Sequence, residues 1–393
     1  MKQKVAIVFV FLVAVAAIMV FATRRPSAPD TRADGGSANE DKSTAAAPAE
    51  IVEISLVYST EKREWMEAAI AGLQEAEPGI KVQLIGQGSL DASQAILDGT
   101  LTPVLFSPAD SLITNLLASD WSTKVGKRLF VAEPQPLLLS PLVFVVWQDR
   151  ASVLTEQGAS TLTWKAIREA VVSNKGWPAV GGKAAWGFVK LGQTDPTRSN
   201  SGLQALLSMS LEYFGKPQLA VEDLLDEKYQ KWVKEIEGSV GKFEPSTGTF
   251  MTDMIRFGPS KYDIAVVYES LAVSQLANAQ GRWGSLRMYY PPTTLWSDHP
   301  IVMLDTGALT PAQRAAGQKV IDYLRSRPVQ STALRFGFRP ADPAVPMKVD
   351  EGPNPFAKLA SYGLSLELPA ATTAPDGAVV RNLLTMWSRV MAK

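Results

Sequence analysis

The stretch Val52–Asp120, "VEISLVYSTEKREWMEAAIAGLQEAEPGIKVQLIGQGSLDASQAILDGTLTPVLFSPADSLITNLLASD", decides the fold. Its opening "VEISLVYS" alternates apolar and polar residues and is rich in β-branched side chains, which predicts a strand. "EKREWMEAAIAGLQEAE" then places Trp65, Ala69, Leu73 and Ala76 on one helical face. "IKVQLIG" predicts a second strand, "SLDASQAILDG" a helix, "PVLFSP" a short buried strand and "DSLITNLLASD" another helix. This β-α-β-α-β-α order is that of an open, largely parallel sheet. Such sheets bind ligands at the carboxyl ends of their strands. Here those ends are Tyr58-Ser59-Thr60, Gly86-Gln87-Gly88-Ser89 and Ser107-Pro108-Ala109-Asp110. Each offers hydroxyls or free backbone N–H groups at a helix start. One such group is a helix cap; three on one sheet edge either cap alone or also line a site for a small polar or anionic ligand.

Outward from this stretch the pattern continues. "SPLVFVVW" (Ser140–Trp147) predicts a strongly apolar strand, "TWKAIREAVVS" a helix behind the cap residue Thr163, and "AWGFVKLG" (Ala185–Gly192) a strand. "DPTRSNSGLQALLSMSLEYFG" follows, with small polar residues at a strand's carboxyl end and then a helix closed by Gly215. "YDIAVVYES" (Tyr262–Ser270), "SLRMYYPP" and "HPIVMLD" predict further strands. Thr310–Gln313, "TPAQ", is a capping box with Pro at the first helical position. "NPFAKLASYG" and "VVRNLLTMWSRVMAK" predict the last helices. Trp65, Trp164, Trp232 and Trp387 fall in helical patterns and read as core. Trp177, Trp186, Trp283 and Trp296 fall nearer loops, where one of them can stack on a flat ligand or simply pack.

Composition narrows the function. The 393 residues are 46% hydrophobic and 20% charged, enough for a substantial core in one large domain or two medium ones. With 39 basic and 39 acidic side chains there is no excess to neutralise phosphates, so a nucleic-acid partner is not expected. Absent cysteine removes disulfides, thiol catalysis and cysteine zinc sites, and the single histidine, His299, reads as an ordinary turn or surface residue before Pro300. No metal site or cofactor is expected. Residues 1–22 carry two lysines and then the apolar run Val5–Ala22, which predicts either a membrane anchor or a signal peptide cleaved after Ala22. Either puts the rest of the chain outside the cytoplasm. Residues 23–50, rich in Ala, Pro, Ser, Gly and charge, predict a disordered linker.

The order of Tyr58-Ser59-Thr60, "GQGS", "PVLFSPAD", "SPLVFVVW", "DPTRSNSGLQALL" and "YDIAVVYES" resembles bacterial extracellular solute-binding proteins. The resemblance is to the branch of the periplasmic molybdate-binding type and its less characterised relatives, without the von Willebrand factor A domain that some carry. It covers about Ile51 to the C-terminus. It implies an α/β, type 2 periplasmic-binding-protein fold: two α/β lobes, hinge strands, and a ligand in the cleft. Residues 51–140 plus 270–393 would form lobe one and residues 141–269 lobe two. The implied ligand contacts are Ser59, Thr60, Ser89 and Ser107 from lobe one and Thr197, Ser199, Asn200, Ser201, Thr247 and Tyr268 from lobe two, with Glu269 beside the tyrosine as a further candidate. The molybdate branch holds its oxyanion with serine hydroxyls, backbone N–H groups and a tyrosine. This sequence departs from that pattern at Glu61, where a small hydroxyl residue belongs, and at Glu269 after the tyrosine. A carboxylate in the cleft repels an oxyanion; Arg198 compensates only if it faces inward. The implied role is a non-enzymatic solute-binding protein for an ABC-type transporter, with a membrane permease or another membrane partner. The same fold also suits a sensor or interaction protein at the membrane.

One catalytic pattern competes. Ser59-Thr60-Glu61-Lys62 matches the S-x-x-K of serine-lysine hydrolases, but no K-T-G or S-D-N accompanies it. "GQGS" is not a nucleophile elbow, and "GGKAAWG" lacks the spacing of a phosphate-binding loop.

Overall fold

Parallel pairing brings the three carboxyl ends to one level. The structure, a computed structural model, describes residues 51–155, 159, 161–276, 279, 282–347, 354–368 and 375–392. The apolar tract at 5–22 and the linker at 23–50 lie outside the described residues. Among the described residues no helix is long and apolar enough to cross a membrane.

The first run is β1 (Val52–Tyr58), α1 (Arg63–Ala76), β2 (Ile80–Gly86), α2 (Ser89–Leu97), β3 (Leu105–Ser107) and α3 (Ser111–Val125). β4 (Gln135–Pro136), β5 (Leu138–Trp147), α4 (Gln148–Leu154), α5 (Trp164–Val171), β6 (Leu191–Gly192), α6 (Asn200–Phe214), α7 (Glu227–Glu237) and α8 (Thr247–Phe257) follow. The last part is β7 (Ile264–Tyr268), α9 (Glu269–Leu276), β8 (Leu286–Tyr289), β9 (Trp296–Ser297), β10 (Pro300–Met303), α10 (Pro311–Arg325), α11 (Arg327–Thr332), β11 (Arg339–Pro340) and α12 (Gly377–Met391).

The first sheet has the order β2-β1-β3-β10-β4. β1 runs parallel to β2 and β3, and Tyr58 stands level with both Gly86 and Ser107. β10 joins antiparallel to β3, so the chain enters it from the same edge, at His299. The second sheet is built on β5, which pairs antiparallel with β7; β6 lies parallel to β7. β8, β9 and β11 also pair with β5, so this sheet takes strands from both sides of residue 270.

Burial explains why these segments are strands. Along β5, Leu142, Phe144 and Val146 enter one core cluster and Val143 and Val145 another. A strand covered on both faces needs the unbroken apolar run that its sequence shows. In β1, Ile54, Leu56 and Tyr58 face a core with Trp65, Ile70 and Val320, while Val57 faces the other side. Each fully buried side chain of this size contributes about 1.5–3 kcal/mol.

Two segments differ from expectation. Within Ala185–Gly192 only Leu191 and Gly192 pair as strand; 3₁₀ turns at Trp177–Val180 and Ala184–Trp186 precede them. Gly181 and Gly187 have positive φ, which breaks extended backbone there. "NPFAKLASYG" forms two 3₁₀ turns, Pro355–Ala357 and Ala360–Tyr362, in place of one helix; the backbone leaves helical geometry at Lys358 and Leu359, and Gly363 at φ 94 ends the second turn. The capping box at Thr310 is present.

Candidate ligand cleft

The carboxyl ends of β1, β2 and β3 face the starts of α6 and α8, and polar contacts join them across the seam. Thr60 and Ser246 hydroxyls lie 2.5 Å apart. Gln204 Nε2 donates across it to Asp110 Oδ2 at 2.7 Å and, on its own side, to Ser297 Oγ of β9 at 2.9 Å. Also on the second-sheet side, Asn200 Nδ2 donates to the Tyr268 hydroxyl of β7 at 3.0 Å. At the rim Arg198 pairs with Asp91 at 2.8 Å. Backbone approaches equally closely: a Cβ on Gly88 would sit 3.1 Å from the Arg198 carbonyl oxygen, and one on Gly248 3.1 Å from that of Thr60.

On the second-sheet side the hydroxyls form a buried cluster. Ser201 Oγ lies 2.7 Å from Thr194 Oγ1 and 2.6 Å from Thr247 Oγ1, and Ser199 Oγ lies 3.2 Å from Thr247 Oγ1. The N-caps of α2, α6 and α8 are Gly88, Ser199 and Ser246, and none makes a side-chain cap bond. Their first-turn N–H groups therefore keep donor capacity toward the seam. Asn200 and Gln204, four residues apart on α6, present both amides on one face. The amide oxygens of both are buried without a partner.

On the first-sheet side the charges are buried. Ser59 Oγ donates to Glu61 Oε1 at 2.5 Å, and His299 Nδ1 stands 3.2 Å from the same oxygen, off the line of a good hydrogen bond. Burial pushes the Glu61 carboxyl up, but His299 and Lys62 outweigh it and hold the group below the usual carboxylate range. Burial keeps His299 below the usual imidazole range, so it is neutral at pH 7. Lys62 donates to Ser107 O at 2.8 Å, Ser107 Oγ at 3.0 Å and Pro108 O at 2.7 Å. Burial pushes its ammonium down to about 7 against the pull of Glu61 and Asp298. Asp110 caps α3 through Leu112 N and is pushed up to about 7 by burial and the nearby Asp298 charge. Tyr268 is raised well above its ordinary value, first by burial and then by the Glu61 charge. A cavity of about 300 Å³ opens beside Thr60 and Glu61, walled also by Gly248, Thr249, Trp65 and Phe338.

The structure thus brings Ser59, Thr60, Ser89, Ser107, Ser199, Asn200, Ser201, Thr247 and Tyr268 to the seam. Ser89 accepts a bond from Ala109 N at 3.0 Å. Two expected residues stand apart. Thr197 is exposed and donates to its neighbour Asp195 at 2.6 Å. Glu269 is buried in a separate network with Arg339, at 2.7 and 2.8 Å, and with the Tyr290 hydroxyl. Arg198 faces Asp91 at the rim, half exposed, and brings no charge inside. His299, read as a turn or surface residue, is instead fully buried, at φ 41, with its backbone N–H on Ala109 O. No serine-lysine dyad assembles at Ser59, whose hydroxyl serves Glu61 while Lys62 serves Ser107 and Pro108. Trp177 is core, with Nε1 on Asp263 at 3.2 Å. Sequence reading left Asp110, Gln204, Ser246, Ser297 and His299 out of the ligand set. The spacing of Asn200 and Gln204 on one helix was the available signal for Gln204.

No curated protein sequence matches the chain. Solved periplasmic binding proteins share its fold at low identity. The sulfate-binding protein SubI from Mycobacterium tuberculosis H37Rv is 16% identical with a TM-score of 0.52, over 84% of this chain and 96% of that one. The periplasmic binding protein AfuA from Actinobacillus pleuropneumoniae, solved with fructose-6-phosphate bound, is 14% identical with a TM-score of 0.57, over 86% and 99%. The apo ferric ion-binding protein A of Pasteurella haemolytica is 12% identical with a TM-score of 0.54, over 86% and 96%. The architecture is the type 2 periplasmic-binding fold, and the sequence model of the bacterial extracellular solute-binding proteins matches residues 54–339. This chain therefore belongs to the bacterial extracellular solute-binding protein family.

Proposed function

We propose that the chain captures a small polar or anionic solute in the seam between its two sheets and hands it to an ABC-type membrane permease, without catalysing a reaction. The observation that carries this reading is the convergence of three helix starts lacking side-chain caps, α2, α6 and α8, on one polar seam. Affinity comes from N–H dipoles and hydroxyls that water satisfies in an open form and the solute satisfies in the closed one. Ser59, Thr60, Ser107, Ser199, Asn200, Ser201, Thr247 and Tyr268 are the proposed contacts. The lobes follow the sheets: 51–136 with β10 and α10 on one side, and the β5-based sheet on the other, including β8, β9 and β11. Residues 5–22 hold the protein at the outer face of the cytoplasmic membrane unless they are cleaved. A thermal-shift screen of the full-length chain in detergent, against oxyanions, divalent cations, sugars, amino acids and organic acids, tests the proposal. A solute at 100 times its Kd adds about 2.7 kcal/mol of stability and raises Tm. A shift with one class supports solute capture; no shift across the panel overturns it.

A further inference from the structure

The second sheet has a far end, opposite the cleft. β7 reaches the seam at Tyr268 and starts at Ile264, about 13 Å back along the strand. Level with that start lie the start of β6, the end of β5 and the start of β8: Leu191 and Val146 pair with Ile264, and Trp147 with Leu286. Among the described residues three aromatic side chains are exposed, Phe188, Phe257 and Trp283, at 65%, 39% and 42%. All three lie at this end. Phe188 precedes β6 by three residues, Phe257 ends α8 just before β7, and Trp283 precedes β8 by three. The Trp283 indole covers Gly258, where an added Cβ would lie 2.5 Å from the ring. The charge here is one-sided. Ser173–Lys190, "SNKGWPAVGGKAAWGFVK", holds three lysines and no carboxylate; Glu169 and Asp195 are the nearest along the chain. The carboxylates packed at this end are engaged: Asp263 with Arg150 and Lys190, Asp149 with Arg150, and Asp253 and Glu244 with Lys261. Lys175, Lys183, Arg256 and Arg282 are exposed and, among the described residues, have no carboxylate partner. Arg256 and Arg282 lie over the rings of Phe257 and Trp283, at 5.1 and 5.7 Å. Arg287 of β8 adds a partly buried cation.

We propose that this end of the chain docks on the surface of a bilayer containing anionic lipid. Phe188, Phe257 and Trp283 enter the headgroup layer, and Lys175, Lys183, Arg256 and Arg282 face its phosphates. Exposed Trp and Phe among Lys and Arg is the composition of interfacial anchors. Each basic residue near an anionic surface raises the docked population about fivefold. An acidic protein surface would pair with the cations but offers the three aromatic rings no apolar layer to enter. The bilayer is also the surface within reach. With residues 5–22 in the membrane, the 28 residues from 23 to 50 span about 30 Å as a coil, which keeps the globular part close to the lipid. Docking at this end leaves the seam, at the other end of β7, uncovered, and it holds whether or not the seam captures a solute.

The chain has no cysteine, so a single introduced one can carry a fluorophore. Ser260→Cys, exposed in the turn after Phe257, reports on this end; Thr100→Cys, exposed beyond α2, is the control. The labelled full-length chain is reconstituted in vesicles of phosphatidylcholine alone or of phosphatidylcholine with phosphatidylglycerol, and quenching by aqueous acrylamide is measured. With phosphatidylglycerol, quenching at position 260 should fall about twofold or more as the label enters the headgroup layer, and high salt should restore it. Quenching at position 100 should not change. Arg256→Gln together with Arg282→Gln should weaken docking about 25-fold, fivefold for each charge. Phe188→Ser, at the most exposed ring, should weaken it about tenfold. Circular dichroism verifies that each variant folds, and the comparison of lipids at positions 260 and 100 stands without them. Equal quenching at position 260 in both lipids overturns the proposal. So does equal protection of both positions, which would mean approach without a preferred face. Protection that survives loss of both arginines and of Phe188 overturns it too, as does protection that needs an added membrane protein and ignores lipid charge.

Discussion

Lys62 and Asp110 show how a few buried groups set the electrostatics of the cleft. The Lys62 ammonium ties β3 to the turn after β1 and offsets the charges of Glu61 and Asp298. Lys62→Met leaves those carboxylates without their counter-charge, and urea unfolding should show a loss of about 3 kcal/mol or more. Asp110 is raised from 3.8 to about 7, so the folded chain holds a proton that the unfolded chain releases. Stability from this group is greatest below its unfolded value, falls as pH rises toward about 7, and stays low above that. Asp110→Asn keeps the cap geometry but removes the titration. Its stability relative to the native chain should therefore increase from pH 5 to pH 8 in parallel urea titrations; a flat difference would show that Asp110 is ionised throughout. None of this was legible from residue identities. Glu61 was read as a departure from a pattern, and His299 as a surface residue, because burial and partners are properties of the assembled edge.

Elements obeyed local chemistry where their signals were local. Strand β2 matches "IKVQLIG" residue for residue, and α10 starts at the capping box that "TPAQ" spells. Thr310→Ala removes the hydroxyl that accepts from Gln313 N at 3.1 Å and should cost about 1 kcal/mol by thermal or urea unfolding, without altering ligand binding. Signals failed where a distant partner decides. The backbone N–H groups of Trp164 and Lys165 at the start of α5 are met by the Glu212 carboxylate of α6, both at 2.9 Å, and no local pattern announces that. The short β6 likewise exists because β7 pairs with it, while the glycine-rich residues before it turn instead of extending.

At the scale of the whole molecule, binding depends on how closely the two sheets approach. Gly88 and Gly248 permit it, since a side chain at either meets backbone of the opposite side. Gly248→Val should therefore weaken any solute that shifts Tm, by about tenfold or more, while basal Tm changes little; small-angle scattering should show a more open particle. Unchanged affinity would mean that the seam does not close in this way. The Arg198–Asp91 pair is a poor target for the same test, because half-exposed ion pairs contribute about 0–1 kcal/mol.

By itself the sequence determined the alternating strands and helices of the first run, the parallel β2-β1-β3 part of the first sheet, and the small polar residues at its carboxyl edge, because these are written in residues close together along the chain. It determined most of the hydroxyls that line the seam for the same reason. Only the tertiary structure decided that Thr197 stays at the surface, that Glu269 turns to Arg339 instead of the ligand, and that Glu61, Asp110 and His299 share one buried wall to which Gln204 reaches from α6. Those outcomes depend on contacts between residues far apart in sequence, where burial sets both the cost of a charge and the identity of its partner.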